Sequence, residues 1–195
     1  CRFKSGLGYH YKNNMNKVVV LDRDGTLIKH IPYLHDPSQV SLLPGVKAGI
    51  QNLMRDNIII YIHTNQSGIN RGYFNYSEAV KCNEALIDLL GFGSKVFQSI
   101  CIAPEMPDED SLYRKPLPNF GLEILKENNI TKEKLFYIGD SLCDLMTAHE
   151  IGCKGVGVNT GIKKLTQQIK GNDYCGNYPI FDSFLEAVSH VTSDQ

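Results

Sequence analysis

The sequence predicts one α/β domain, a doubly wound and mostly parallel β-sheet with helices packed against it. The chain has 195 residues, of which 42% are hydrophobic, enough for a single compact domain with a full core. Short apolar runs, typical of strands buried on both faces, alternate along the chain with segments of helical periodicity. Such alternation is typical of parallel strands joined by crossover helices. A disordered or fibrous chain is excluded.

The predicted elements follow one another in a regular order. The β-branched run Val18–Leu21 is the first strand, and it stops at polar, glycine-containing sequence. Pro44 and Gly45 begin a helix that returns to a second strand at 58–62. The alternation continues with a helix near 76–90, a strand near 96–102, a helix near 117–128, a strand at 135–138, a helix from about 142 and a strand near 154–158. Five strands therefore form the predicted sheet, and an apolar stretch at 184–191 is expected to pack on its outside.

Charge and composition exclude several classes of protein. Lys and Arg total 20 against 21 Asp and Glu, giving a net charge of −1, so nothing in the overall charge attracts nucleic acid or an anionic membrane. No window approaches the roughly 18 consecutive apolar residues of a membrane helix. We expect a cytoplasmic protein without nucleic-acid or membrane partners, and a monomer. Residues 1–14 show no periodicity and are predicted to be a poorly ordered leader or artificial end, which leaves 15–195 as the folded domain.

Two carboxylates follow the first strand directly. Asp22 and Asp24 are two residues apart, so both point towards one region, and Gly25 lets the chain turn sharply beside them. Like charges this close repel one another, which favours a bound cation, and the Asp24 backbone carbonyl is available as a further ligand. The alternative is a turn in which both carboxylates only cap backbone amides.

The next strand ends carry groups that suit a phosphate. The second strand leads into Thr64, Asn65 and Gln66, whose hydroxyl and amides match phosphate oxygens, although a helix N-cap in this segment would look much the same. Lys115 precedes the predicted helix near 117–128, with Pro116 placed in its first turn, and projects back over the strand ends.

A second acidic pair, Asp140 and Asp144, follows the fourth predicted strand at a strand-to-helix junction. A capping role at the helix start is the alternative for Asp140. The carboxyl ends of parallel strands meet at one edge of the sheet. The four segments therefore gather a cation site, a phosphate cradle and a neutralising ammonium there, and this joint pattern favours a functional site.

With these motifs, the sequence resembles the haloacid dehalogenase superfamily of phosphatases. The four matching motifs are Asp22-x-Asp24-Gly25-Thr26, Thr64, Lys115, and Gly139-Asp140 with Asp144. The segments 21–26, 64–74 and 114–116 are similar to the subfamily of histidinol-phosphatases and D-glycero-D-manno-heptose 1,7-bisphosphate phosphatases. The resemblance runs from about residue 17 to 161, and it implies a Rossmann-like sheet of the same class as the one predicted above.

The resemblance also implies a role for each residue of the site. Asp22 is the nucleophile that forms an aspartyl-phosphate, and Asp24 is the general acid that protonates the leaving oxygen. Thr64 and the Asn65 amide hold phosphate oxygens, while Lys115 screens Asp22 from the phosphate charge. The implied cofactor is Mg²⁺, with four ligand residues: Asp22, Asp24 through its carbonyl, Asp140, and Asp144 directly or through a water.

Spacing leaves little room for the cap domain that many members of the superfamily carry. Thr64 follows Asp22 by 42 residues, most of which form one loop, one helix and one strand, and residues 65–114 suffice for one further helix-and-strand unit. We therefore predict a capless enzyme, in which loops select the substrate. The candidate loops are 29–43, 66–75 and 102–114, and the candidate binding side chains on them are Gln66, Arg71 and Arg114.

The six cysteines contain no Cys-x-x-Cys pair, so neither a disulfide framework nor a zinc ribbon is indicated and free thiols are expected. Many members of the subfamily carry a loop with Cys-x-His and Cys-x-Cys that binds a structural Zn²⁺. Of those four ligands, this chain retains Cys101 alone. Because one thiolate cannot form a closed zinc site, we predict no structural zinc and a buried free thiol at Cys101.

The implied function is Mg²⁺-dependent hydrolysis of a small sugar phosphate. The preferred candidate substrate is D-glycero-D-manno-heptose 1,7-bisphosphate, cleaved at the 7-position, and histidinol phosphate is the alternative. The balanced charge and the lack of a basic stripe interleaved with aromatic residues disfavour a nucleic-acid 3′-phosphatase. A non-catalytic phospho-receiver domain is disfavoured because its phosphoacceptor would follow the third strand, where the sequence is Cys101–Pro104.

Overall fold

The computed structural model describes residues 17–171 and 177–194. Its strands are β1 (Val18–Leu21), β2 (Ile59–Asn65), β3 (Ser99–Ala103), β4 (Leu135–Gly139), β5 (Lys154–Val158) and β6 (Ile180–Phe181). Its α-helices are α1 (Val46–Arg55), α2 (Tyr76–Leu90), α3 (Asn119–Asn128), α4 (Leu142–Ile151), α5 (Leu165–Gln168) and α6 (Phe184–Ser193), with short 3-10 helices at Pro37–Gln39 and Lys132–Lys134.

All strands are parallel and form one sheet in the order β3-β2-β1-β4-β5-β6. The central strand β1 pairs with β2 on one side and β4 on the other, so that Leu21 lies level with Ile62 and Ile138. The chain winds outwards from β1 in one direction and from β4 in the other. Strand order therefore reverses between β1 and β4, and in sheets of this kind a ligand binds beyond the carboxyl ends of the strands at that point. The predicted fold class is confirmed.

Alternate residues of the strands pack on opposite faces of the sheet, since successive side chains of a strand point in opposite directions. Val19 and Leu21 belong to a core cluster with side chains of α1, α2 and α6. Val18 and Val20 belong to a second cluster, formed with α3 and α4. Both faces of β1 are thus buried, which explains why the strand is an unbroken apolar run.

Helix α2 shows why Thr64 is not a helix cap. The N-cap of α2 is Asn75, whose Oδ1 accepts from the Glu78 amide at 3.1 Å while the Glu78 carboxylate accepts from the Asn75 amide at 2.8 Å. Thr64 lies within β2, well before this reciprocal cap. The N-cap interpretation of the Thr64 segment is therefore wrong.

The structure differs from the sequence prediction in three places: one further strand, the start of α3, and the end of β2, which runs to Asn65. A sixth strand, β6, was not predicted, because its two residues are too few to show periodicity. Pro116 does not lie in the first turn of α3, which begins at Asn119 with Pro118 as its N-cap. A Lys-Pro pair followed two residues later by a second proline offers two possible helix starts, and the second one is used. The predicted outer helix forms α6, which packs against α1.

Cys101 corrects the prediction made for the cysteines. Cys82, Cys143 and Cys153 are free thiols, as predicted. Cys101 is buried in β3 but is disulfide-bonded, so the prediction of a free thiol there is wrong. Pairing depends on the distance between two Cα atoms in the fold, which irregular spacing along the chain does not report.

Segment 1–14, predicted to be a leader or artificial end, lies outside the described residues. Across residues 17–171 and 177–194, no helix combines the length and hydrophobicity needed to cross a membrane.

Candidate active site

The carboxyl ends of β1 and β4 bring the two acidic pairs together. The Asp22 amide extends the ladder between these strands by donating to the Ile138 carbonyl at 2.9 Å. One carboxylate oxygen from each of Asp22, Asp140 and Asp144 lies within 4.8 Å of the other two. Residues far apart in the sequence thus form one acidic cluster at the point where strand order reverses.

The turn after β1 is organised around the carbonyl of Arg23. This oxygen accepts hydrogen bonds from the amides of Thr26, Leu27 and Ile28 at 3.4, 2.9 and 3.1 Å. Within the described residues, no backbone amide donates to the neighbouring Asp24 carbonyl. That carbonyl therefore remains available as a ligand for a cation.

Gly25 is required in this turn for two reasons. Its φ of +88° lies in the left-handed region, which favours glycine. A Cβ at this position would also overlap the Asp140 carboxylate. The motif residue after Asp24 is thus explained by the close approach of the β1 turn to the β4 acid.

Lys115 is the cation at the centre of the cluster. Its Nζ donates to Asp22 Oδ1 and to Asp144 Oδ1, both at 2.6 Å, and the side chain is 2% exposed. Burial alone would lower the pKa of Lys115, but the charges of Asp144 and Asp22 raise it well above its usual value. Lys115 is therefore an ammonium that screens Asp22 and fixes its orientation.

Asn65 holds the backbone of Lys115 in place. Its Nδ2 donates to the Lys115 carbonyl and its Oδ1 accepts from the Lys115 amide, both at 3.0 Å. Both polar atoms of the Asn65 side chain are thus bound to the peptide that carries the ammonium. The structure ties the end of β2 to the Lys115 loop through this residue.

Asp144 has two structural partners besides its place in the cluster. Its Oδ2 accepts from the Ser141 amide at 3.1 Å, as part of the capping box that begins α4, and its Oδ1 is bound to Lys115. The capping residue of α4 is Ser141, so the alternative that assigned the cap to Asp140 is wrong. Asp140 is left to face the site.

The loop after β5 surrounds Asp140. A Cβ on Gly161 would overlap the Asp140 carboxylate, and Thr26 Oγ1 donates to Asp140 Oδ1 at 3.3 Å. Thr160 Oγ1 donates to the Gly25 carbonyl at 2.6 Å, which connects the β5 loop to the β1 turn. Asp140 is therefore enclosed on two sides by backbone that permits no larger residue.

The acidic cluster is electrostatically suited to a divalent cation. Burial raises the pKa of Asp140 to about 9, and the neighbouring charges of Asp22 and Asp144 add to the effect. Burial likewise raises the pKa of Asp22 to about 6, against the opposing influence of Lys115. Crowded carboxylates of low solvent exposure resist ionisation unless a cation joins them. All-oxygen ligands are those that Mg²⁺ prefers, so the residues present fit this ion.

Asp24 is held by three other side chains, all through Oδ2. This oxygen accepts from Arg23 Nε at 3.0 Å and Nη2 at 2.8 Å, and from Gln66 Nε2 at 2.8 Å. Thr64 Oγ1 donates to it at 3.4 Å and in turn accepts from Gln66. Asp24 Oδ1 is buried and has no hydrogen-bond partner. Two residues at or just beyond the end of β2, Thr64 and Gln66, therefore help to orient Asp24.

Arg71 and Arg114 lie on two loops that are tied to each other. Asn70 Nδ2 donates to the Glu109 carboxylate at 2.8 Å, and Arg114 Nη1 donates to the Glu105 carbonyl at 2.8 Å. A hydrogen bond from the Met106 amide lowers the pKa of Glu109; that from Asn70 and the charges of Arg71 and Arg114 act in the same direction. The structure thus places both arginines around one carboxylate, on loops outside the acidic cluster.

His63 lies beneath the site and is held neutral. Its ring nitrogens contact the Tyr137 hydroxyl at 3.0 Å and the Tyr113 carbonyl at 2.6 Å. Burial lowers the pKa of His63 to about 3, and the ammonium of Lys115 adds to the effect. An imidazole in this state packs and orients its neighbours and does not supply a proton at neutral pH.

Several residues of the site were not predicted from sequence: Arg23, Asn83, Thr160 and Gly161. Arg23 lies between the two motif aspartates, yet an arginine beside an aspartate is usually solvated. Asn83 belongs to no recognisable sequence motif. It lies in the middle of α2 and contacts Arg23, which is 60 residues away in the sequence. For Gly161, the one signal in the sequence is its position beside Thr160, shortly after a buried strand.

Known proteins share both the sequence and the fold. The HAD-hydrolase-like family model matches residues 112–187. The D-glycero-beta-D-manno-heptose-1,7-bisphosphate 7-phosphatase of Pasteurella multocida (strain Pm70) is 31% identical over 163 residues, covering 80% of this chain and 88% of that protein. The histidine biosynthesis bifunctional protein HisB of Legionella pneumophila (strain Lens) is 28% identical over 141 residues, covering 71% of this chain and 40% of that protein.

A solved structure agrees over nearly the whole chain. The crystal structure of D,D-heptose 1,7-bisphosphate phosphatase from B. bronchiseptica, complexed with magnesium and phosphate, matches with a TM-score of 0.81 and 25% identity over 90% of this chain and 97% of that one. Together the fold and these relatives define a hydrolase of phosphoric monoesters. The chain belongs to the haloacid dehalogenase-like family of phosphatases.

Proposed function

We propose that this phosphatase removes the 7-phosphate of D-glycero-D-manno-heptose 1,7-bisphosphate in a Mg²⁺-dependent reaction with an aspartyl-phosphate intermediate. The observation that carries the proposal is the buried contact of Lys115 with Asp22 and Asp144 beside Asp140, at the switch point of the sheet. The choice of substrate rests on the relatives, of which the Pasteurella protein is named for this reaction.

Asp22 is the nucleophile. Lys115 holds its Oδ1 at 2.6 Å and so presents the other carboxylate oxygen for in-line attack on phosphorus. The ammonium also offsets repulsion between the attacking carboxylate and the phosphate dianion. Attack forms the aspartyl-phosphate bond as the bond from phosphorus to the sugar oxygen breaks.

Asp24 supplies and recovers the proton. As the general acid it protonates the departing sugar oxygen, and as the base it then takes a proton from the water that hydrolyses the aspartyl-phosphate. Thr64 contributes its hydroxyl to the phosphate oxygens. Asn65 contributes its backbone N–H, because its side-chain amide holds the Lys115 peptide.

Mg²⁺ would be held by Asp22, the Asp24 carbonyl and Asp140, and when bound it supplies positive charge that neutralises the transferring phosphoryl group. Both oxygens of Asp144 are already engaged, one by Lys115 and one by the α4 cap. We therefore assign Asp144 an indirect role, in which it positions Lys115 and a water bound to the ion.

A second phosphate would be bound by Arg71 and Arg114. The hydrogen bond between Asn70 and Glu109 joins their loops, so the two guanidinium groups act from one side of the site. Gln66 links this side to the centre, because it is bound to Asp24 and Thr64. A substrate with phosphates at both ends of a small sugar matches a reacting centre and a separate cationic region.

Rates on three substrates test the proposal. The purified enzyme with Mg²⁺ is expected to show its largest kcat/KM on heptose 1,7-bisphosphate, with inorganic phosphate released from the 7-position as identified by ³¹P NMR of the product. A 3′-phosphorylated oligonucleotide is expected to be a poor substrate. A higher kcat/KM on the oligonucleotide would overturn the assignment.

Histidinol phosphate is the second candidate substrate, because the alignment with the Legionella histidine biosynthesis protein covers 71% of this chain. If histidinol phosphate gives the higher kcat/KM, the chemistry at Asp22 stands and the substrate assignment changes. A cytoplasmic location, a monomeric state and the absence of a structural zinc stay predictions.

A further inference from the structure

We infer that Arg23 and Asn83 position the Asp24 carboxylate by anchoring its Oδ2 oxygen. The inference rests on the proposed role of Asp24 as general acid and base. It adds two positioning residues that take no part in the proton transfer: Arg23 contacts Asp24, and Asn83 contacts Arg23.

Arg23 is a fully buried arginine, with 0% of its side chain exposed. Burying a guanidinium group costs several kcal/mol unless its charge is paired and its N–H groups are satisfied. Within the described residues, Asp24 is the one carboxylate that forms an ion pair with it. The charge of Arg23 is therefore committed to Asp24.

Both contacts from Arg23 to Asp24 converge on a single carboxylate oxygen. Nε and Nη2 donate to Oδ2 at 3.0 and 2.8 Å. Gln66 donates to the same oxygen at 2.8 Å. Oδ2 is thus saturated with donors, whereas Oδ1 is buried without a partner. A carboxylate held through one oxygen by three N–H donors is fixed in a defined orientation.

Asn83 holds the other end of the guanidinium. Its Oδ1 accepts from Arg23 Nη1 at 2.8 Å, and the residue is 4% exposed. Because the amide is neutral, it fixes the plane of the guanidinium group without competing with Asp24 for its charge. Helix α2, which contains Asn83, thereby sets the orientation of Asp24 from outside the motif.

The proposed proton transfers use one fixed carboxylate. The proton on Asp24 passes to the sugar oxygen as the bond from that oxygen to phosphorus breaks, and the water that attacks the aspartyl-phosphate then returns a proton to Asp24. The contacts from Arg23 and Gln66 hold the carboxylate in the same orientation for both steps.

The test compares two aryl phosphates, phenyl phosphate and p-nitrophenyl phosphate, in the full chain with Mg²⁺. Departure of phenolate needs a proton far more than departure of p-nitrophenolate, and kcat/KM reports the steps up to departure of the leaving group. Displacing a catalytic group by about 1 Å can cost roughly 10²-fold in rate. For Asn83→Ala and Arg23→Lys we expect kcat/KM to fall by about 10- to 100-fold on phenyl phosphate and by less than about 3-fold on p-nitrophenyl phosphate.

Asn128→Ala is the matched control. Asn128 is a half-buried asparagine with two hydrogen bonds, to Tyr61 and to the Ile124 carbonyl, but it lies at the end of α3 and does not contact Asp24. This variant is expected to lose thermal stability without changing the ratio of the two kcat/KM values. Equal losses on both aryl phosphates in Asn83→Ala and Arg23→Lys, or unchanged activity on both, would overturn the inference.

Asp24→Asn separates this inference from the proposed function. If Asp24→Asn lowers kcat/KM mainly on phenyl phosphate while the Asn83 and Arg23 variants do not discriminate, Asp24 is the acid but these residues do not position it. If Asp24→Asn itself affects both substrates equally, the proposed acid role fails. Should Arg23→Lys not fold, Asn83→Ala decides the inference, since it leaves the ion pair in place.

Discussion

Asp22 is the residue on which the proposed reaction depends most directly. Asp22→Asn replaces the carboxylate by a group of nearly equal shape that is a far poorer nucleophile. We expect turnover to fall by about 10³-fold or more and the phosphorylated enzyme to disappear from rapid acid-quench samples, with the far-ultraviolet circular dichroism unchanged. Asp56→Asn, a surface change in a side-chain contact with Arg55, is the control with full activity. A variant at position 22 that kept even a few per cent of the turnover would exclude the covalent mechanism.

The sequence was informative for single residues wherever a short motif carried the signal. Asp22 and Asp24 were placed at the site by their spacing and their position after an apolar strand. Arg23 could not be assigned in the same way, because its partner Asn83 belongs to another element. The contribution of a buried hydrogen bond depends on which side chains meet in the fold, and no local pattern reports that.

At the scale of loops, Arg71 and Arg114 are expected to affect substrates that carry a second phosphate more than substrates with a single phosphate. Arg71→Ala and Arg114→Ala remove charge from the joined loops and leave the acidic cluster intact, so binding remote from the reacting centre is lost. We expect KM for heptose 1,7-bisphosphate to rise by about 10-fold, with little change in kcat/KM for p-nitrophenyl phosphate. Lys95→Ala serves as a control for loss of a positive charge elsewhere. Equal losses on both substrates would instead assign that arginine to the transferred phosphate.

The loop after β5 is expected to control the metal site through Gly161. Gly161→Ala would push the Asp140 carboxylate away, because its Cβ would occupy the same space. We expect the dissociation constant for Mg²⁺, measured by calorimetry, to rise by about 10-fold. Gly72→Ala is the control, since Gly72 has a φ of +74° but open space around it; it should lower stability by about 1 kcal/mol and leave Mg²⁺ binding unchanged. Unchanged Mg²⁺ affinity in Gly161→Ala would mean that Asp140 is not a ligand.

Helices and strands could be predicted where the apolar pattern extended over many residues. The predicted helix near 76–90 matches α2, because its 15 residues show a full amphipathic pattern between an Asn cap and a Gly end. β6 was missed because two residues carry no period. Pro116 was misplaced because the residues around a proline pair fit a loop and a helix start equally well.

At the scale of the molecule, the alternation of strands and helices predicted the site as well as the fold. In a doubly wound sheet the chain has to reverse its direction of winding, and here it does so between β1 and β4. The two acidic pairs follow those strands, so their meeting is a consequence of topology. The electrostatics of the cluster could not be predicted in the same way, because the pKa values depend on burial and on distances of a few ångströms.

Those raised pKa values predict how the stability of the whole protein depends on pH. The pKa of Asp140 is about 9 in the folded protein without a cation, whereas in the unfolded chain it lies near 3.9. Between pH 7 and 9 the folded state therefore binds more protons than the unfolded state, and the free energy of unfolding falls as the pH rises. His63 has a pKa of about 3 in the folded protein and near 6.5 in the unfolded chain, so it is mostly neutral in both states above pH 7 and contributes little to this slope.

Mg²⁺ should reverse the effect, because an ion bound to ionised carboxylates displaces the protons and stabilises the folded state. We expect the increase in Tm produced by a fixed concentration of Mg²⁺ to grow from pH 7 to pH 9, with the Tm measured in chelator falling over the same range. Sodium chloride at equal ionic strength controls for screening, and Asp140→Asn should reduce the pH dependence since the amide does not titrate. The thiols of Cys143 and Cys153, whose pKa values burial raises to about 12, account for a remaining fall in stability towards pH 9. A Tm increase of the same size at every pH would show that the ion binds without displacing a proton from Asp140, and would place the Mg²⁺ site elsewhere in the fold.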